Sequence, residues 1–237
     1  RLWMSARKLA LAQGIDDTRA TLRRWNAAPL PVVGRWLLWS LAVACGLLYL
    51  VWAVSHRVTP DASRILLPGV NLPGGWDAVG QVVVRNSLVL ALHALACVAG
   101  FMAGSALPRQ AAQHTGLMRR VHEVAGPAAI VFVGAATVFS LVTQAYVLGS
   151  DAATLGRQLE IGHATLILTL LPHALPELVA LFLPLAAWLV ASRSGRWEEL
   201  LAATVATCAL AAPVLVLTAS IEVFVWPQLL KAASPLG

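Results

Sequence analysis

Long runs of apolar residues limit what this chain can fold into more than any other feature. A helix needs about 20 apolar residues to cross the hydrocarbon core of a bilayer. Five regions reach that scale, at about residues 32–54, 79–106, 124–148, 161–192 and 200–226. Hydrophobic residues make up 59% of the chain and charged residues 12%, whereas about a quarter of a soluble domain is charged. The sequence therefore predicts an all-α, polytopic helical membrane protein with five transmembrane segments.

The fourth apolar region, residues 161–192, is too long for one straight crossing and contains Pro172 and Pro176. A proline inside a helix removes a backbone hydrogen bond and kinks or breaks the helix. We therefore expect a broken fourth segment, interrupted near residues 172–176, with residues 161–172 tilted or lying at the outer interface. The alternative is one long, kinked and strongly tilted helix.

Basic residues are distributed unequally between the two sides of the predicted bundle. Four fall on one side: Arg57, Arg64, Arg157 and Lys231. Twelve fall on the other: Arg1, Arg7, Lys8, Arg19, Arg23, Arg24, Arg35, Arg109, Arg119, Arg120, Arg193 and Arg196. Because cytoplasmic loops carry an excess of Lys and Arg, the N-terminus is expected in the cytoplasm and the C-terminus outside. This asymmetry accounts for the net charge of +6, and no nucleic acid partner is expected.

Two parts of the chain differ in character. Residues 1–31 form a basic, amphipathic segment, expected to be cytoplasmic, and residues 32–237 form the five-span transmembrane domain. A basic amphipathic helix can lie on the anionic inner leaflet, so membrane lipids are expected partners. The alternative role for this segment is to dock a cytoplasmic protein.

Four polar side chains from four predicted spans reach one level in the outer part of the bilayer: Arg85, Gln144, Glu177 and Glu222. Asn86, Gln144 and His173 can satisfy the remaining hydrogen bonds of the charged groups. A lone charge in hydrocarbon costs about 2.5 to 3.5 kcal/mol on insertion scales. Pairing Arg85 with Glu222 or Glu177 reduces that cost, so we predict an intramembrane polar cluster centred on these three residues.

Three roles remain open for this cluster. An ion pair can simply fix the register of the helices. Ionisable groups in a span can also form an ion or proton path. Finally, Glu177 can be neutral and hydrogen-bonded to His173, because burial disfavours the charged carboxylate.

No pattern typical of an enzyme or of a cofactor site occurs in the sequence. The P-loop and the H-E-x-x-H motif are missing, as is the G-x-S-x-G motif of serine hydrolases. His173 and Glu177 are four residues apart, but a metal site needs three or four ligands. We therefore expect no catalytic residue, no metal and no cofactor, and a chain that is not an enzyme.

Gly100 and Gly104 have the G-x-x-x-G spacing that allows helices to approach closely in membranes. The spacing suits packing within one chain and equally packing between subunits. A homo-oligomer is therefore compatible with the sequence.

Several of these residues lie in motifs that resemble the stage II sporulation protein M family of bacterial integral membrane proteins. The family's His-x-x-x-Glu, followed by an Ala-rich apolar helix, is matched by His173 and Glu177 in "PHALPELVALFLPLAAWLVA". A closing Ile-Glu-x-Phe-x-x-Pro is matched in "SIEVFVWP" at residues 221–227. Asn86, Gly100 and Gly104 fit the family's second span. The resemblance covers about residues 80–228.

The resemblance implies a multi-pass protein of the bacterial cell (inner) membrane that works with other membrane or periplasmic proteins. The sporulation member belongs to a complex with peptidoglycan-degrading enzymes, and some relatives look like companions of ABC-type transport machinery. Two functions are therefore expected. The first is a non-enzymatic scaffold or assembly subunit of a multiprotein complex. The second is a permease subunit energised by a separate ABC-type ATPase or by protons.

The predicted topology is tested by reporter fusions along the chain. Fusions after Ser55, Arg109, Asp151, Gly195 and Gly237 are expected to report outside, inside, outside, inside and outside in turn, because each predicted span reverses the side. A cytoplasmic signal at the C-terminus would contradict the five-span orientation and would mean that residues 161–192 cross twice.

Overall fold

The computed structural model describes residues 2–63, 65–112 and 115–236, and the side chains of these residues except 2–13 and 110. The α-helices in order are α1 (Leu2–Ala27), α2 (Leu30–Ser55), α3 (Trp76–Phe101), α4 (Leu107–Ala111), α5 (Gly116–Gln158), α6 (His163–Ser194), α7 (Leu200–Phe224) and α8 (Trp226–Ala233). A π-helical turn, Met102–Ala106, joins α3 to α4, and a 3₁₀ turn, Trp197–Glu199, precedes α7. Over the described ranges there is no β-strand, only an isolated bridge between Pro68 and Leu72.

Five of the helical stretches are long and apolar enough to cross a bilayer. They are Leu30–Ser55, Trp76–Arg109, Gly116–Gln158, His163–Ser194 and Trp197–Ala233. The all-α, five-segment architecture predicted from hydropathy is therefore confirmed, and the chain is a multi-pass membrane protein. The third of these stretches, α5, extends well past the span expected at residues 124–148. Its 43 residues correspond to about 65 Å at 1.5 Å per residue, roughly twice the hydrocarbon thickness.

The expected break in the fourth segment is wrong. Helix α6 runs without interruption from His163 to Ser194 and passes through both Pro172 and Pro176. Each proline removes only its own N–H donor, and two prolines four residues apart lie on the same side of a helix. The missing hydrogen bonds therefore lie on one face of α6, and the backbone hydrogen bonds on its other faces continue along the helix. The chain reverses before this helix, where Glu160 has a φ of 55° and the Ile161 N–H donates to the Gly156 carbonyl at 2.9 Å.

The chain divides into two compact units, and the long helices contribute to both. The first unit comprises Arg1–Trp39, Leu90–Ala136 and Leu183–Leu210, and the second comprises Ser40–Val89, Thr137–Phe182 and Ala211–Gly237. The buried apolar core of the first unit includes Trp25, Trp36, Leu183, Ala186, Ala187, Ala202 and Ala203. A core cluster of the second unit consists of Val79, Val82, Ala219 and Val223.

The end of α1 is docked on the first unit. Trp25 packs edge-to-face against Trp36, with ring centroids 5.1 Å apart. The Arg24 guanidinium donates to the Glu199 carboxylate at 2.5 Å, and Arg196 lies 3.4 Å from the same carboxylate. The last turns of the N-terminal segment therefore pack on their own chain, while its expected contact with lipid stays a prediction.

Gly100 and Gly104 allow tryptophan rings to approach the α3 backbone within the first unit. A Cβ added at Gly100 would lie 2.7 Å from the Trp188 ring, and one added at Gly104 would lie 2.8 Å from the Cβ of Trp197. Contacts this short require a hydrogen in place of a side chain. The G-x-x-x-G spacing is therefore used here for packing within the chain.

In the second unit, the long loop between α2 and α3 is tied to helix ends. The Asp61 N–H donates to the Thr154 hydroxyl at 3.0 Å, and the Ile65 N–H donates to the Gln158 side chain at 2.9 Å. Gly69 has a φ of 77°, and a Cβ there would lie 2.7 Å from Pro227. Since the loop is held at the ends of α5 and α8, it forms a cap on this unit and not a separate domain.

Gly104→Ala is expected to lower the melting temperature in detergent, because the added methyl group collides with Trp197. Overpacking of this kind costs about 1–3 kcal/mol. The matched control is Gly134→Ala, a helical position in the same unit where an added Cβ meets nothing within 4 Å. There, the better helix propensity of alanine should leave stability unchanged or raise it by up to about 1 kcal/mol. Equal melting temperatures for the two variants would contradict the packing described.

Candidate functional site

A group of polar side chains in the second unit is positioned by one face of each of three helices. On α3, Asn86 continues the buried face formed by Val79 and Val82. On α6, His173 and Glu177 are four residues apart, as are Thr218 and Glu222 on α7. Side chains at that spacing lie above one another on a helix surface. Each helix therefore presents neighbouring polar groups at one place in an otherwise apolar unit.

Arg85 and Glu222 form the ion pair of this cluster. The Arg85 Nη2 lies 3.5 Å from the Glu222 Oε1, and the side chains are 64% and 20% exposed, respectively. The separation is at the long end of hydrogen-bond distances, whereas charge-assisted bonds are usually near 2.8 Å. The pair is therefore held mainly by charge attraction and is open on the arginine side.

Glu177 lies on the buried side of the pair. Asn86 and Thr218 lie beside its carboxyl group, and the charges of Arg85 and Glu222 act on it as well. The Glu177 Oε2 and the Asn86 Nδ2 are both buried and have no hydrogen-bond partner among the described residues. The Glu177 Oε2 atom is therefore left without a partner, although polar side chains lie around the carboxyl group.

His173 is buried, and its ring faces Trp226, with centroids 5.1 Å apart. The Trp226 indole N–H donates to the Thr169 hydroxyl at 3.3 Å. The His173 Nδ1 has no hydrogen-bond partner in the described part of the chain. The alternative in which His173 and Glu177 are hydrogen-bonded to each other is therefore not observed, although the two residues share a helix face.

Gln144 makes its side-chain hydrogen bond within its own helix. Its side-chain amide donates to the Ser140 hydroxyl of its own helix at 3.0 Å. The prediction rested on depth along the span, but depth does not determine which side of a helix a residue occupies. A hydroxyl one turn away satisfies Gln144 locally. Its inclusion in the cluster therefore stays a prediction.

Thr218 and Glu199 were not singled out from the sequence. Thr218 lies four residues before Glu222, and this spacing predicts that both side chains lie on the same face of the helix. Glu199 is 7% exposed and is contacted by both Arg24 and Arg196. Its position just before a long apolar run gave no indication of these partners. Over the described residues, no three His, Cys, Asp or Glu side chains converge as a metal site would require.

The fold and the site define a multi-pass α-helical membrane protein with a charged cluster inside its bundle. Comparison of the chain with protein-family models, with curated proteins and with solved structures found no match. The resemblance to the stage II sporulation protein M family therefore stays a prediction.

A double-mutant cycle tests the ion pair. Arg85→Ala and Glu222→Ala are each expected to lower the free energy of unfolding in mixed micelles, with a coupling of at least about 0.5 kcal/mol, because the two side chains contact each other. The control cycle combines Arg85→Ala with Gln144→Ala, which should be additive. Additive effects in the first cycle would contradict direct pairing.

Proposed function

We propose that this chain is a non-enzymatic integral membrane subunit of a multiprotein complex in the bacterial cell membrane, with a scaffold or assembly role. Its N-terminus is cytoplasmic and its C-terminus lies outside, as the distribution of Lys and Arg favours. The resemblance to the stage II sporulation protein M family supports the location and the dependence on partners.

The main support for this proposal is the surface of α5, which is apolar and largely uncovered by the rest of the chain. Only 6% of its most apolar stretch is buried within the chain, against 50% for α6. Its large exposed apolar side chains are Leu117, Met118, Val121, Val124, Val131, Phe132, Val138, Phe139, Val142, Tyr146, Val147 and Leu148. A helix of this length with so little internal contact is available to a neighbour within the bilayer.

Small residues on α5 favour another helix as that neighbour. An added Cβ at Gly134 meets nothing within 4 Å, and Ala135 and Ala136 are exposed. Small residues at a membrane helix surface allow a second backbone to approach closely. Unlike Gly100 and Gly104, these positions are not used for packing inside the chain. The proposed occupant is a transmembrane helix of a partner protein.

A permease subunit is the second candidate, and the polar cluster is the observation that favours it. Ionisable residues inside a span are expensive and often mark ion or proton paths. In this reading, a separate ABC-type ATPase or protons supply the energy. Purification with a stable ATPase would favour the permease, and purification with periplasmic enzymes or a large membrane assembly would favour the scaffold.

Photo-crosslinking in cells tests the partner surface. A photoreactive amino acid replacing Phe132 or Phe139 is expected to form a discrete protein adduct, because both side chains are exposed on α5. The matched control replaces Leu88, which is exposed on α3, and it should label mainly lipid. If labelling at residues 132 and 139 also yielded lipid adducts alone, the surface would be lipid-facing and the proposal would lose its main support.

A further inference from the structure

Charge does not balance in the polar cluster if every group takes its usual ionised form. The titratable and charged groups that face Glu177 are Arg85 from α3, Glu222 from α7 and His173 from its own helix. Arg85 supplies one permanent positive charge and is already 3.5 Å from Glu222. A second carboxylate at Glu177 would leave one negative charge without its own counter-ion inside the bundle, and buried charges without a partner are strongly disfavoured.

A protonated His173 does not supply the missing positive charge. An imidazolium carries two N–H donors, and both need acceptors when buried. The Nδ1 of His173 has no hydrogen-bond partner in the described residues, and the Arg85 guanidinium acts on the ring with a charge of the same sign. His173 therefore fits the neutral imidazole.

The uncharged neighbours of Glu177 can accommodate a carboxylic acid as well as a carboxylate. Thr218 and Asn86 lie beside the carboxyl group, and the Thr218 hydroxyl also donates to the Leu215 carbonyl at 3.2 Å. A hydroxyl oxygen that donates its own proton still has lone pairs that accept a proton donor. Asn86 provides an amide with both donor and acceptor atoms on the other side. A protonated Glu177 has a donor for Thr218 and retains an acceptor for Asn86.

We propose that the second unit contains a proton-binding site, in which the Glu177 carboxyl group holds one exchangeable proton next to Asn86 and Thr218. When the proton leaves to water, Glu177 becomes a carboxylate and competes with Glu222 for the single guanidinium of Arg85. This site does not depend on the scaffold role and would serve a permease equally.

Infrared difference spectroscopy between acidic and alkaline pH tests the site on the full chain in lipid vesicles. The wild type is expected to show one buried carboxylic acid C=O band that shifts in D₂O and disappears at high pH. The band should be absent in Glu177→Gln. In the matched variant Glu222→Gln it should be present at acidic pH but disappear at a lower pH than in the wild type, because Arg85 is then left for Glu177. A band that persists in Glu177→Gln, or no titrating band in the wild type, would overturn the proposal. Loss of the wild-type band on adding sodium at constant pH would also overturn it, since the site would then take a monovalent cation.

The melting temperature tests the protonation of Glu177 independently of the infrared band. Glutamine has the shape and the neutrality of a protonated glutamate, so Glu177→Gln should keep the wild-type melting temperature at neutral pH. Glu222→Gln removes the negative charge that is paired with Arg85, so this variant should have a lower melting temperature than the wild type. If Glu177→Gln lowered the melting temperature as much as Glu222→Gln, or failed to fold, Glu177 would be an ionised group and the assignment would be wrong.

Discussion

Polar groups inside a bilayer have no water to bind, so each one must find its partner within the protein. In the second unit this constraint acts on Asn86 of α3, Glu177 of α6 and Glu222 of α7. Turning any of these helices about its axis would move a carboxyl or amide group away from its polar neighbours, and sliding α3 or α7 along its axis would separate Arg85 from Glu222. The apolar contacts among Val79, Val82, Ala219 and Val223 follow from the alignment that the polar groups impose.

The first unit is held by different means. Trp188 and Trp197 pack directly on the backbone at Gly100 and Gly104, where a side chain would prevent the approach. The buried Glu199 carboxylate accepts from Arg24 and so joins α1 to the start of α7. The Arg24 side chain of this pair is 62% exposed, and an ion pair that is open to solvent on one side adds little net stability.

Local patterns in the sequence predicted part of this arrangement well. The five spans follow from hydropathy, and the proximity of Arg85 to Glu222 follows from the cost of isolated charges in hydrocarbon. The interruption at Pro172 and Pro176 was wrong, because the helix tolerates the loss of two donors on one face. Depth along a span carries no information about the side of the helix, and the hydrogen bond of Gln144 to Ser140 on its own helix could not be predicted from it. The partners of Glu199 come from distant parts of the chain, and no local pattern reveals them.

The central claim is that the polar faces of α3 and α7 meet in the second unit, and disulfide crosslinking tests it most directly. In a background without Cys45, Cys97 and Cys208, the pair Val82→Cys and Ala219→Cys is expected to crosslink rapidly on oxidation, because both positions belong to one buried cluster. The pair Val84→Cys and Ala219→Cys should not, because Val84 is 61% exposed. Efficient crosslinking through residue 84 and none through residue 82 would contradict the account.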